Sequence, residues 1–236
     1  MMNRLSANAG RVLAPLLLGA LALAGAAEAQ VAPGAEQLRA YSGLHQAAAR
    51  GDALRIKALA AGGANLDARD PMGRTPLHVA TFEHQREAIT ALAGAGADLD
   101  LLENDRYDAV TIAAVADDVP TLALLLSLGA RPGQTTSRYD GTALIAAAHL
   151  GHDEVVRRLI AAGAPLDHVN NLHWTATIEA IVLGDGGPRH QRTLAALVDA
   201  GADLSLADRS GLTPLQLARS RNYPEMVEKL AAAGAK

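Results

Sequence analysis

From about residue 38 to the C-terminus, apolar and polar positions alternate in a unit of two short amphipathic segments followed by a polar link. The segment DEVVRRLIAAGA, Asp153 to Ala164, shows the second half of the unit most clearly. Val155, Val156, Leu159 and Ile160 fall on one face at helical spacing, acids stand at the start, Arg157 and Arg158 come later, and Gly163 ends the run. That arrangement predicts a helix with its dipole matched at both ends and a glycine stop. The first half of the unit is clearest in DPMGRTPLHVA, Asp70 to Ala80. Thr75 can cap a helix with its hydroxyl, and Pro76 suits a first helical position, where an N–H has no helical acceptor. A break such as Leu150-Gly151-His152 separates the two helices, and a polar stretch such as NLDARDPMGR leads to the next pair.

The unit recurs. With Thr75 as marker, equivalents fall at Ser42, Asp108, Thr142, Thr175 and Thr213, at intervals of 33, 33, 34, 33 and 38 residues. Five residues after each marker stands an alanine (Ala47, Ala80, Ala113, Ala147, Ala180, Ala218), small enough for two helices to approach closely. Two residues after the marker the side chain is mostly apolar: Leu44, Leu77, Val110, Leu144, Thr177 and Leu215. Gly-Ala pairs begin at Gly63, Gly96, Gly129, Gly163, Gly201 and Gly234, each 21 residues past its marker except in the fifth copy, where the gap is 26. Two independent anchors thus agree in six copies, and the fifth carries a five-residue insertion around Gly184 to Pro188. A fixed period of this length signals a solenoid. The expectation is an all-α array of about six helix-turn-helix units spanning residues 38–66, 71–99, 104–132, 138–166, 171–204 and 209–236, with the first and last units as end caps.

Composition changes the picture at the N-terminus. The first eleven residues carry Arg4 and Arg11 and no acid, an apolar run extends from Val12 to Ala27, and Ala27-Glu28-Ala29 offers a small-residue exit. This is the pattern of a secretory signal peptide over 1–29, with 30–37 as a short linker and 38–236 as the repeat domain. The run is shorter than the roughly 20 residues that span a bilayer. Removal of 1–29 takes away Arg4, Arg11 and Glu28 and moves the net charge from −4 to −5. An acidic chain is a poor match for nucleic acid or anionic lipid. The chain has no cysteine, so neither disulfides nor thiolate chemistry is available. Only 3% of residues are aromatic, so the core must be aliphatic, which suits packed helices.

TPLH at Thr75 to His78, its partial form Thr213-Pro214-Leu215, and Gly-Ala-Asp at Gly96 to Asp98 and Gly201 to Asp203 resemble the ankyrin repeat family. The resemblance covers nearly everything after residue 38. It implies an L-shaped stack of helix pairs with projecting fingers, in which first helices and fingers line a concave, partner-binding face. YDGTALIAAAHLGH (Tyr139 to His152), HVNNLHWTA (His168 to Ala176) and LGDGGPRH (Leu183 to His190) are similar to the exported, periplasmic bacterial subgroup, some members of which are linked to peroxide-stress resistance.

Candidate chemistry is sparse. His149 and His152 form an H-x-x-H pair, and His168 and His173 lie in the next finger, but no acid or cysteine completes a tetrahedral metal set. His78 and His152 occupy positions where such a repeat uses histidine to bond backbone. No G-x-S-x-G is present, and GDGGP lacks the phosphate-loop pattern and follows a helix. No metal, cofactor or catalytic residue is therefore expected. The scarce aromatics are better placed: Tyr41, Tyr107 and Trp174 directly precede markers and Tyr139 stands three before one. Arg74, Arg106 and Arg138 lie beside them. Interface hot spots favour Trp, Tyr and Arg. The expected partner-binding set is Trp174, Tyr139, Tyr107, Arg74, Arg106, Arg138 and His173, with Tyr41 assigned to the N-terminal cap. The bland alternative is that each ring packs on its neighbouring finger and stiffens the array. Asp98, Asp100, Glu103, Asp105, Asp108 and Asp117-Asp118 form an acidic run that is either a solvated edge or a surface for a basic partner. The functional expectation is a monomeric, non-catalytic protein-binding module in the bacterial periplasm. The rivals are an accessory factor that protects or matures a periplasmic redox enzyme, a metal carrier or enzyme, and a toxin-neutralising or host-directed effector.

Overall fold

The computed structural model describes residues 30–236, and the expected signal peptide over 1–29 lies outside the described residues. Among the described residues thirteen helices follow one another in order, with no strand and only an isolated bridge between Thr136 and Gly141. After α1 (Ala35–Ala40) come six pairs: α2 (Gly43–Ala49) with α3 (Ala53–Ala61), α4 (Pro76–Phe82) with α5 (Arg86–Ala95), and α6 (Ala109–Val115) with α7 (Val119–Ser127). Then α8 (Ala143–Leu150) pairs with α9 (Asp153–Ala161), α10 (Ala176–Val182) with α11 (Pro188–Asp199), and α12 (Pro214–Ser220) with α13 (Pro224–Ala232). First helices pack on first helices and second on second along the chain, which is the stacking of a solenoid. The segment expected as a bare linker, 30–37, runs into α1, whose N-terminus is capped by Gln37 Oε1 accepting from the Gly34 N–H.

The markers are the caps. Thr75, Asp108, Thr142, Thr175 and Thr213 each accept, through a side-chain oxygen, the N–H three residues on. Ser42 takes the same extended cap conformation without that bond. All six marker-plus-five alanines are buried, and so are all six marker-plus-two residues, Thr177 included. The Gly of every Gly-Ala pair has φ between +80° and +99°, the left-handed conformation that ends the second helix at little cost only for glycine. The core is aliphatic throughout and continuous from α2 to α11, with a second cluster closing the array through α10 to α13.

The insertion in the fifth copy does not form a slack loop. Part of it extends α11 to 12 residues, against nine for α9 and α13, and the rest is the turn 183–187. That turn is held from both sides: the Tyr223 hydroxyl donates to the Gly184 carbonyl at 2.9 Å, and His190 bridges Asp185 Oδ1 and the His149 carbonyl at 2.8 and 2.9 Å. Gly186 has φ +70°, and a Cβ there would lie 2.5 Å from the Tyr223 ring. Gly186→Ala should therefore cost about 1–3 kcal/mol in a denaturant melt. Introduced into a Tyr223→Ala background it should cost less, because the clash has been removed and only the backbone penalty remains.

Candidate functional site

Five fingers link the six pairs, and each closes on itself by the same device. Asp70 Oδ1 accepts the N–H groups of Met72 and Arg74, Asn170 Oδ1 those of Leu172 and Trp174, and Asp208 Oδ1 those of Ser210 and Leu212. Glu103 Oε1 accepts from Tyr107 N–H, and Ser137 Oγ from Tyr139 N–H. Successive fingers are then joined by backbone bonds: Asn104 N–H to the Met72 carbonyl, Ser137 N–H to Arg106 and Asn171 N–H to Tyr139, at 3.1, 3.0 and 2.9 Å. The fingers thus form a registered row and not a set of independent loops.

Two residues before the cap, each finger turns through a left-handed residue: Gly73, Arg106, Asp140, His173 and Gly211, with φ from +52° to +78°. The two outer fingers use glycine. The three central ones use side-chain-bearing residues, although the left-handed conformation costs an L-residue of this kind about 1–2 kcal/mol. Arg106 and His173 are exposed, and Arg106 Nη1 donates to Asp140 Oδ1 at 2.9 Å across to the next finger. A cavity of about 100 Å³ opens between these fingers, lined by Asn104, Asp105, Arg106, Tyr107 and Arg138. Arg106 and Arg138 are thus brought together at the surface. No carboxylate of the described residues pairs with the Arg138 guanidinium, whereas Arg106 shares that of Asp140.

Two expected site residues are corrected. Tyr107 is only 6% exposed, its carbonyl accepts from the His78 ring, and burial pushes its phenol up to about 12. It forms the floor of the cavity and is not a free contact. Arg74 is 1% exposed, with Nε on Asp70 Oδ2 at 2.8 Å and Nη1 on the Val31 carbonyl at 3.1 Å. It is an internal strut. Trp174 and Tyr139 are half-buried, and Trp174 packs against the C-terminal core cluster, so its ring both stiffens the array and shows an edge. Tyr41 donates to Asp70 Oδ2 at 2.6 Å and belongs to the N-terminal closure.

The acidic run is largely engaged inside the array. Asp108 is a buried cap, Glu103 closes its finger, and Asp100 pairs with Arg131 at 2.6 Å. Asp118 bonds His84 and Asp117 bonds Arg189, both at 2.6 Å. What remains of the surface for a basic partner is Asp98 and Asp105 at the edge.

The histidines separate by role. His78 bonds Thr75 and the Tyr107 carbonyl, and burial lowers its pKa to about 4, which keeps it neutral. His152 Nδ1 donates to the Ala114 carbonyl at 2.9 Å, while His149 Nδ1 faces Glu179 Oε2 at 3.5 Å. The H-x-x-H pair therefore engages different neighbours. Among the described residues no group of three or more His, Asp or Glu is placed to hold a metal ion. Sequence reasoning passed over Asp140, hidden by the extra residue of its finger, and Glu179, a carboxylate within the first helix of the fifth copy.

The sequence profile described as ankyrin repeats (3 copies) matches residues 20–103 and 110–208. The chain belongs to the ankyrin repeat family. It is 34% identical over 191 residues to the ankyrin repeat protein YahD of Escherichia coli (strain K12), covering 80% of this chain and 94% of that one. An ankyrin repeat domain of Acinetobacter baumannii AYE, known from its crystal structure, is 46% identical and superimposes with a TM-score of 0.77, covering 82% of this chain and 98% of that one. The ankyrin repeat domain of Bcl-3, a member of the IkappaB protein family, is 28% identical with a TM-score of 0.73 over 83% of this chain and 87% of its own. Ankyrin repeats are protein–protein interaction modules, and the family is generally non-catalytic.

Proposed function

We propose that this chain is a non-catalytic module of the bacterial periplasm that holds one protein partner, as a monomer, through the central fingers and the face formed by the first helices. The charged head, apolar run and Ala27-Glu28-Ala29 exit support export. The observation that carries the binding reading is the run of three side-chain-bearing residues, Arg106, Asp140 and His173, at turn positions where the outer fingers have glycine. A strained backbone at an exposed position is a pointer to function, since folding alone favours glycine there. The stiff, cross-bonded row presents these side chains with little left to order on docking, which lowers the entropic cost of association.

The double variant Arg106→Gly/His173→Gly tests this. It should fold and melt at the same temperature or a few degrees higher, because the turn strain is relieved. At the same time it should weaken binding to the partner by about tenfold or more, measured by calorimetry with the protein co-purified from periplasmic extract. Unchanged affinity in the double variant would show that the fingers are not the binding surface.

A further inference from the structure

The face of the first helices contains one residue out of keeping with its row. Four residues after each cap stand Gln46, Val79, Ile112, Ala146, Glu179 and Leu217. Glu179 is buried like its apolar neighbours, with 4% exposure. Its Oε1 accepts from Asn170 Nδ2 at 3.0 Å, while Oε2 is buried and has no hydrogen-bond partner. A carboxylate lodged in this way is costly unless something pairs with it. Among the described residues no Lys or Arg nitrogen lies within 4.0 Å of it, and the basic group that does is the His149 ring on α8, 3.5 Å from Oε2. His190, on α11, is engaged elsewhere, with Asp185 and the His149 carbonyl. Arg219, the charged residue of α12, is exposed. Burial raises the Glu179 carboxyl to about 7 and lowers the His149 ring, so at neutral pH the histidine offers a lone pair. The His149 ring is one-third exposed, and Leu150 beside it is among the exposed large apolar residues, so solvent reaches this end of the site along His149.

We propose that Glu179 and His149 form the seat for one lysine side chain of the protein partner, its ammonium held between Glu179 Oε2 and His149 Nδ1. The proposal rests on the reading that the first-helix face holds a protein. Asn170 already donates to Oε1, so a guanidinium would have to share that oxygen to engage both as its fork prefers, whereas a compact ammonium needs only single acceptors. A small outward rotation of the one-third-exposed His149 ring would open the 3.5 Å gap to the separation that two acceptors around one ammonium require. Leu150, and Val115 at the His149 position of the preceding first helix, offer apolar surface for the lysine stem. The seat also explains why a carboxylate is kept here: it is unpaired only in the free protein.

A random nonapeptide library selected against the full chain tests the seat. Selected peptides should share a lysine at one register position. Glu179→Gln should weaken each of them at least tenfold, and exchange of that lysine for arginine should weaken them as well. Because the seat needs Glu179 in its ionised form, affinity should fall about 30-fold from pH 8 to pH 5.5 for the native chain and less for the Gln variant, given a carboxyl that titrates at about 7. Peptides that bind both chains equally, or whose affinity falls equally with pH in both, would remove the seat and leave the binding face standing. Failure of the native chain to select any peptide would remove both.

Discussion

Glu179→Gln should make the protein more stable at pH 8, by about 3 kcal/mol, while leaving it unchanged at pH 4. The carboxyl titrates near 7 in the folded chain against an ordinary 4.5, and burial is the first cause of the shift. A pKa raised by folding gives stability that is fully present below the unfolded value and is lost as pH rises through the folded one. The window is therefore about pH 4.5 to 7, and above it the difference levels off. Each pKa unit corresponds to 1.36 kcal/mol, which sets the size at about 3 kcal/mol. Glutamine keeps the carbonyl that accepts from Asn170, removes the buried charge, and turns an amide N–H toward His149 Nδ1. His149 itself works in the opposite direction, since its lowered pKa takes stability away as pH falls. That contribution is common to both chains to a first approximation, so the difference between them isolates Glu179. Urea melts of the two proteins at half-unit steps from pH 4 to 8.5 would show it. Curves that stay parallel would mean that water or a rearrangement already satisfies Oε2. Stabilisation on losing this buried charge would show that packing does not account for the carboxylate, as in a stability–function trade-off, and this ties the measurement to the lysine seat.

The architecture was readable because it is written in short-range chemistry repeated six times. Caps, close-packing alanines and terminal glycines act within one turn of the backbone, so Thr75, Ala80 and Gly96 can be assigned without knowing what surrounds them. The site was less readable because exposure is a property of neighbours. Arg74, Arg106 and Arg138 all stand in fingers within four residues before a cap, and sequence alone treats them alike. The structure separates them by what comes to lie on top: Val31 and Tyr41 with Asp70 enclose the first, whereas the other two rim an open cavity. Tyr107 was misplaced for a related reason. Its position before the cap is occupied by half-exposed Trp174 two units later, but its carbonyl is drawn inward by His78 and its ring goes with it. The acidic run lost its apparent surface character in the same way, since Asp100, Asp117 and Asp118 meet partners from 31 to 72 residues away in sequence. The five non-glycine or glycine turn residues could have been aligned from the period alone. Doing so would have exposed Arg106 and His173 as occupants of glycine positions, though the longer third finger obscures Asp140.

The largest loss of stability is expected from Arg74→Met. The guanidinium is 1% exposed and lies over Asp70, whose side chain is 2% exposed. Removing one partner of a buried ion pair leaves the other charge uncompensated and costs about 3–5 kcal/mol. Asp70 keeps the Tyr41 hydroxyl and the N–H groups of Met72 and Arg74, so the loss should sit toward the lower end of that range. A methionine fills the stem's volume, so the effect reads the charge and its bonds more than a cavity. The damage should also be local. Arg74 Nη1 holds the Val31 carbonyl, and the Arg74 carbonyl accepts from the His45 ring, so the strut ties the chain before α1 and the first helix pair to the first finger. Hydrogen exchange should therefore quicken most in residues 31–50 and little beyond α8, as expected where each unit touches only its neighbours. Arg138→Met, at an exposed position, should change stability by no more than about 0.5 kcal/mol. Equal effects of the two substitutions would contradict the assignment of Arg74 to the interior and return it to the binding surface with Arg106 and Arg138.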